Sequence, residues 1–531
     1  VDGIQLEVLW SNLRSVVTEQ AKAMQRTAFS PVVRDAGDLA YALFDERGRM
    51  VAQAETGTPG HINCLANTGG YLAKLFEGDL FPGDVLITND PWHGAGHFFD
   101  FTILAPIFRD NAIIGYVGST NHHVDIGGIG VSAAANDVHE EGLWVPPAKF
   151  YERGKLNTLL NDIILRNVRK PDYVSGDLAA QVGSAKSGGI ALNEICDRYG
   201  LENIAQLSDE IISRSEDAAR QAIRACKAGT WTAETRFDIP NGKVVTLRAT
   251  VTVDNVAGEV LVDFAGSSPQ MDAGVNVVLN YTHAYSTFAV RSCLSPEIPN
   301  NAGSLAPIKL SAPEGSIVNC TYPAPVAARH VVGMYVPMPI LKALYNVVPE
   351  RVLAEGPGAV YSMQVFGKDR EGAPFISSQF SFAGGMGARA KKPGPNATCY
   401  PTGIGATPLE ILENESPVVF TRRELRAGSG GAGRSRGGDG QVVEFRMNTD
   451  RTWLLNAVTT GKAYVAEGLE GGGSGGPGYF AINGEPREVN GKVPMQPTDT
   501  VLMCTPGGGG YGPATPGASA MAAEPAIGPA S

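Results

Sequence analysis

The sequence predicts an α+β protein: a mixed α/β N-terminal part with a metal-bearing β-hairpin, then a β-rich, glycine-rich C-terminal part. Three observations predict it. Apolar residues recur at helical spacing near the N-terminus and again over residues 156–228. After Thr230 the apolar period changes to two, the alternation of half-buried strands. Ahead of the second helical stretch, His97-Phe-Phe-Asp100 and His122-His123-Val-Asp125 flank an apolar segment that has turn residues at its middle.

The elements follow in order. Leu6, Leu9, Leu13, Val16, Val17 and Met24 set an amphipathic helix over residues 4–29, ended at Ser30-Pro31. Leu39–Asp45 and Met50–Ala54, joined by Glu46-Arg-Gly-Arg49, read as a hairpin. Tyr71–Phe76 ends another helix, and Val85–Thr88 is a strand leading to Asn89-Asp90-Pro91. Phe101–Phe108 and Ile113–Ser119 are strands around Arg109-Asp110-Asn111-Ala112. Their pairing brings His97 and Asp100 beside His122 and His123. With Asp110-Asn111 as a two-residue turn, Asp100 faces Asn121; one extra loop residue sets it opposite His122. The sequence leaves both registers open.

Helices Gly176–Tyr199 and Ser208–Lys227 come next, with Gly200 and Gly229 as expected C-caps. Strands Thr232–Ile239, Val244–Val253 and Val260–Phe264 and helices Tyr281–Cys293 and Tyr335–Val347 precede a β- and glycine-rich remainder. This places a boundary near residue 230. Residues 1–230 form the metal-site domain with its helical segment 156–228, and residues 231–512 form the β-rich domain. The tail 513–531, dominated by Ala, Pro, Gly and Ser, is expected to be disordered.

The 531 residues exceed the roughly 250–300 that one core usually serves. A net charge of −11 argues against nucleic acid or an anionic membrane as partner, since both reward basic patches. No apolar run approaches the ~20 residues of a membrane span, and no basic-then-apolar leader opens the chain. Seven scattered cysteines without a CxxC read as reduced thiols of a cytoplasmic protein.

Four of the eight histidines fall between residues 93 and 123. Neutral imidazoles and a carboxylate at one point make a divalent-metal site, so His97, Asp100, His122 and His123 are the leading candidates. Two histidines and one carboxylate also suit a non-haem iron centre, although no enclosing β-barrel is evident. Asp125 reads as a carboxylate that orients a histidine, or as a turn residue. His93 and His61 are ambiguous, and Asp38 by itself reads as a strand-entry residue. The runs Gly428–Gly438, Gly471–Gly476 and Gly507–Gly510 contain GxGxxG and GxSxG by letter, but none opens a helix. They point to tight turns and close backbone approach rather than to a nucleotide loop. Arg434 and Arg436 in the first run offer an anion cradle as the alternative.

Ala42-Leu-Phe-Asp45, Val51-Ala-Gln53-Ala-Glu55, Thr88-Asn-Asp-Pro91, His93-Gly94 through His97 to Asp100, and His122-His123-X-Asp125-Ile-Gly-Gly128 form an ordered set. Gly176-Asp177-Leu178, Ala312-Pro313-Glu314-Gly315-Ser316, Pro323-Ala-Pro325, Arg329, Ser429-Gly-Gly-Ala-Gly-Arg434 and Gly508-Gly-Gly-Tyr511-Gly512 continue it. Together they resemble the hydantoinase B/oxoprolinase family nearly end to end, over about residues 4–512.

The resemblance implies a B-type (β) subunit of an ATP-dependent cyclic amide hydrolase that opens hydantoins, 5-oxoproline or lactams. An A-type partner subunit, holding ATP and Mg, phosphorylates the amide oxygen, and the B-type subunit hydrolyses the activated intermediate at a metal of the Zn or Mn class. The assembly implied is a hetero-oligomer such as α2β2. On the family pattern His97, Asp100 and His122 are metal ligands, Asp38 adds another, and His123 and Asp125 shuttle protons or orient ligands. Related large subunits occur in biotin-independent ketone carboxylases, which gives a carboxylase subunit as the alternative; a scaffold with a structural metal is the third reading. Phe98-Phe99 stands where Leu-Pro is frequent, and Gly428 replaces a frequent Asp. The Phe pair suggests a more apolar pocket than 5-oxoproline suits.

Overall fold

The computed structural model describes residues 3–514, so residues 515–531 of the predicted disordered tail lie outside it. The N-terminal helix α1 (Gly3–Thr27) buries the predicted stripe of Leu6, Leu9, Leu13, Val17 and Met24. After the single turn α2 (Pro31–Arg34) come β1 (Leu39–Phe44), β2 (Met50–Gln53), α3 (Pro59–Leu75) and β3 (Val85–Thr88). The histidine hairpin is β4 (Asp100–Arg109) and β5 (Ala112–His122), followed by β6 (Ala148–Glu152) and β7 (Lys155–Leu156). These strands form one antiparallel sheet in the order β2-β1-β5-β4-β3-β6-β7.

The hairpin settles its register in an unexpected place. Asp110 and Asn111 have φ of 49° and 66°, the left-handed pair of a two-residue hairpin turn. The extra residue sits in the strand instead of the loop. Phe108 pairs with Ile113 but Ile107 pairs with Gly115, so Ile114 bulges and the ladder below it shifts by one. Asp100 therefore faces His122.

Helices α4 (Thr158–Asn167), α5 (Pro171–Tyr199) and α6 (Ala205–Arg224) follow. Gly200 caps α5 at φ 65°, as expected. Gly229 does not cap α6: the helix ends at Arg224 with Ala225 as C-cap, and Gly229 opens a strand. The hairpin sheet packs α1 and α5 on one face and α3 on the other. Strand alternation then sorts the side chains. Leu104 and Tyr116 join Ile62 and Leu65 of α3 in one apolar cluster, so Asp100 and His122 share that face. Gln181 of α5 bonds Ser119 and the Phe101 carbonyl on the opposite face.

Strands β8 (Gly229–Asp238), β9 (Val244–Asp254) and β10 (Glu259–Asp263), helices α7 (Leu279–Leu294) and α8 (Ala302–Leu305), and β11 (Ile308–Ser311) build a second sheet ordered β11-β10-β9-β8. The short α9 (His330–Gly333) precedes α10 (Pro337–Leu344), which lies within the helix predicted over Tyr335–Val347. Beyond them β12 (Val360–Lys368), β13 (Pro374–Ala383), α11 (Leu409–Glu415), β14 (Val418–Leu425), β15 (Gln441–Met447) and β16 (Trp453–Val458) lead into the final strands. These are β17 (Tyr479–Ile482), β18 (Glu485–Pro486), β19 (Lys492–Met495) and β20 (Thr500–Cys504). They make two sheets, β13-β12-β16-β19 and β14-β15-β20-β17-β18. The largest apolar cluster takes in residues from Leu6 to Val352 together with Val458, and another begins at Ala359. Residues 231–352 thus pack with the N-terminal part.

The glycine runs do pack by close backbone approach. Gly431 N–H donates to Gly508 O at 2.8 Å, Gly508 N–H to Gly438 O at 3.0 Å, and Gly510 N–H to Gly473 O at 2.9 Å. A Cβ added at Gly437 would lie 2.0 Å from Gly508 O. Arg434 pairs with Glu470 and Arg436 with Asp439, so neither arginine cradles an anion with a free charge. All seven cysteines are free thiols. No helix among the described residues is long and apolar enough to cross a membrane.

Candidate functional site

Asp100 is the hub of the site. It is 1% exposed, and its two oxygens face different partners. Oδ1 lies 2.9 Å from His122 Nδ1 across the hairpin and 2.9 Å from His97 Nε2, one turn of chain before it. Oδ2 lies 3.0 Å from His61 Nε2 and is hydrogen-bonded by the Arg329 guanidinium. His61 comes from the first turn of α3, where the Thr58 side chain caps the helix by accepting from the His61 N–H. Its other nitrogen is 3.3 Å from Asp38 Oδ1, and Asp38 Oδ2 is 3.9 Å from His122 Nδ1.

The protons on this cluster identify what it suits. His97 Nδ1 is 3.0 Å from the Ala327 carbonyl, which accepts and so requires the proton there. Burial, with Arg329 nearby, lowers the His97 pKa to about 4, so the ring is neutral at pH 7. Nε2 then presents a lone pair to the Asp100 carboxylate and finds no hydrogen-bond partner among the described residues. Two acceptors face each other across 2.9 Å. A bound cation relieves that opposition. One atom each from His97, Asp100 and His122 lies within 4.8 Å of the others. That compares with the about 3.3 Å between ligands held about 2 Å from one zinc. The donor set, two imidazoles and a carboxylate with a backbone carbonyl fixing one tautomer, fits a divalent metal.

Electrostatics support the same hub. Burial works against the Asp100 carboxylate, but His61, His97 and Arg329 overcome it and hold its pKa well below the usual range. Burial likewise opposes a charge on His61, and Asp100 with Asp38 outweighs it, so its pKa is raised. Beside the cluster lies a cavity of about 60 Å³, bordered by Asp38, His61, His97, His122, Arg329 and His330. A water needs roughly 10–15 Å³ on that measure, so the space holds a few waters.

The structure brings Asp38, His97, Asp100 and His122 together. It takes His123 and Asp125 elsewhere. His123 follows His122 and points to the other face, where its ring meets the edge of Phe101 at 5.0 Å. Burial lowers its pKa to about 4. Asp125 accepts from Arg169 at 2.7 Å and anchors the 125–128 loop. Neither borders the cavity. His93 is exposed and stacks on Tyr71, with ring centroids 4.2 Å apart. Phe98 and Phe99 do not line the pocket either. Both are 1% exposed in the core, and Phe99 stacks on His122 at 5.4 Å, holding the imidazole in place.

Three further residues complete the site: His61, Arg329 and Glu141. His61 lies one helix away in sequence, and its clue is the Pro59-Gly60 helix start beside a histidine. Glu141 gives no local signal. It is fully buried, and its Oε1 accepts from Val326 N–H at 2.7 Å and Ala327 N–H at 2.8 Å. It thereby anchors the Val326-Ala327 backbone just ahead of the Ala327 carbonyl that sets the His97 tautomer. Burial raises the Glu141 pKa to about 8. The folded value lies above the unfolded one, so its stabilising share is full below about 4.5 and is lost as pH rises through about 8. Glu141→Gln is therefore expected to match the parent at pH 5 and exceed its stability at pH 9 by about 1–3 kcal/mol in urea unfolding. A variant less stable than the parent at pH 9 sinks this account.

A multi-sheet α+β fold built around a buried His-Asp-His cluster defines the class. The profile of Hydantoinase B/oxoprolinase matches residues 2–514, and the chain belongs to the hydantoinase B/oxoprolinase family. It is 31% identical to the B component of a putative D-/L-hydantoinase from Pseudomonas sp. (strain NS671), covering 96% of this chain and 90% of that one. The crystal structure of the ATP-dependent caprolactamase from Pseudomonas jessenii superposes with a TM-score of 0.87 at 25% identity, covering 97% and 91% of the two chains. A nucleotide-free acetone carboxylase shares the fold, with a TM-score of 0.88 at 19% identity over 96% and 76% of the chains.

Proposed function

We propose that this chain is the B-type subunit of an ATP-dependent cyclic amide hydrolase. It completes the hydrolysis of a ring amide that an A-type partner, carrying ATP and Mg, has phosphorylated. The observation that carries the reading is the His97–Asp100–His122 cluster beside a cavity, in a family whose members include the B component of a putative hydantoinase.

His97, Asp100 and His122, with Asp38 beside them, would hold a divalent metal of the Zn or Mn class. Such an ion acidifies water and draws charge from a carbonyl or phosphoryl oxygen. The chain's own residues prepare that site. The Ala327 carbonyl keeps the His97 proton on Nδ1 and frees Nε2. Arg329 and His61 keep Asp100 ionised and fixed. Burial of Asp100 and Arg329 strengthens the charge interactions between them.

The test is a product assay on the chain reconstituted with its ATP-binding partner. Ring opening that needs ATP, with no label taken up from ¹³C-bicarbonate, is the expected result. Label in the product makes the chain a carboxylase subunit instead. In the same assay His97→Ala is expected to leave the complex assembled while metal content and ring opening fall at least about 100-fold. Wild-type turnover in that variant removes the site assignment.

A further inference from the structure

The cavity beside the cluster has walls of two kinds. Val131, Met334, Val360 and Ile404 present hydrocarbon, and Thr58, Ser362 and Thr402 present hydroxyls. Arg329 is the sole guanidinium or ammonium group on the lining among the described residues. Its charge is already engaged. Nε donates to the Ala95 carbonyl at 2.5 Å, a terminal nitrogen binds Asp100, and the guanidinium carbon lies 4.1 Å from the Tyr281 ring centroid. Outside the metal position, which the reacting amide would occupy, a ligand carboxylate finds no uncommitted guanidinium or ammonium group on the lining among the described residues. Burying a carboxylate without a partner costs several kcal/mol, far more than burying a methylene gains.

The reacting amide belongs at the His/Asp end of the cavity, so ring substituents meet the wall of Val131, Met334, Val360 and Ile404. We infer, on the hydrolase reading above, that this site is built for a cyclic amide with no charged substituent and rejects rings bearing a carboxylate. The class is a plain or alkyl-substituted lactam or hydantoin. The apolarity is a property of these four side chains and not of the Phe98-Phe99 pair.

Two rings that differ only by the carboxylate decide it: 2-pyrrolidinone and 5-oxoproline. Each is given, with ATP, to the chain in complex with its partner subunit. The expected kcat/KM is at least about tenfold higher for 2-pyrrolidinone. The partner also handles the ring, so a variant isolates this chain's share. Ile404 lines the cavity and is half-buried on a loop, where a longer side chain meets less resistance than in the core. Ile404→Lys is expected to move the ratio about tenfold toward 5-oxoproline at unchanged melting temperature. Thr402→Lys on the same loop replaces it if Ile404→Lys is unstable. Equal or better turnover of 5-oxoproline by the parent, or a ratio that both lysines leave unmoved, overturns the inference and spares the hydrolase reading. Failure to open either ring, hydantoin or caprolactam overturns the hydrolase reading and this inference with it.

Discussion

Asp100→Ala is expected to release the divalent metal and to destabilise the chain by about 3–5 kcal/mol. Both effects have one origin. Among the described residues Asp100 is the sole carboxylate touching His61, His97, His122 and Arg329 together. Removing it leaves the Arg329 guanidinium, 4% exposed, with its charge uncompensated in the core. Truncating one partner of a buried pair costs more than the pair contributes, because the survivor stays desolvated. Asp100→Asn separates the two effects. It keeps an oxygen for Arg329 but removes the negative charge, so metal is lost with a smaller stability change. Elemental analysis beside urea unfolding measures both. Wild-type metal content in Asp100→Ala ends the hub assignment.

Gly507→Ala is the second large effect, and it lies far from the cluster in sequence. An added Cβ would stand 1.8 Å from Ser429 O and 2.8 Å from Gly430 N. Both atoms are backbone, so no rotamer change makes room. Gly507 is also tied by its N–H to Gly476 O at 3.0 Å. Overpacking costs typically 1–3 kcal/mol when side chains can yield; here about 3 kcal/mol or more is expected, with loss of soluble protein. Gly183→Ala is the contrast. It sits exposed in α5 with nothing within 4 Å of the new Cβ, and is expected to stabilise by up to about 1 kcal/mol. Similar melting temperatures for the two variants contradict the packing argument.

Much of the site was legible because a hairpin converts sequence order into proximity. His97, Asp100 and His122 meet as the strand pattern predicts. Their register was not legible, because the bulge at Ile114 carries no local sequence mark. His61 stayed ambiguous and Glu141 escaped for another reason: a helix start and a buried loop reach the site through tertiary packing, which periodicity does not report. The family resemblance supplied Asp38, whose own neighbours say only strand entry. His123 and Asp125 show the limit of adjacency. One residue along a strand reverses the face, so His123 leaves the cavity that His122 borders. The change of period at Thr230 marks a new sheet, while the apolar core continues to Val352. Secondary-structure pattern and core membership are different properties, and only the first is local.

The glycine runs have a thermodynamic consequence. A core cohering through N–H···O=C contacts buries peptide groups where other cores bury methyl and aromatic carbon. Hydrating exposed hydrocarbon raises the heat capacity of the unfolded chain, whereas hydrating exposed peptide lowers it. This part of the molecule therefore contributes little curvature to the dependence of stability on temperature. Its cohesion weakens less on cooling than that of the apolar clusters.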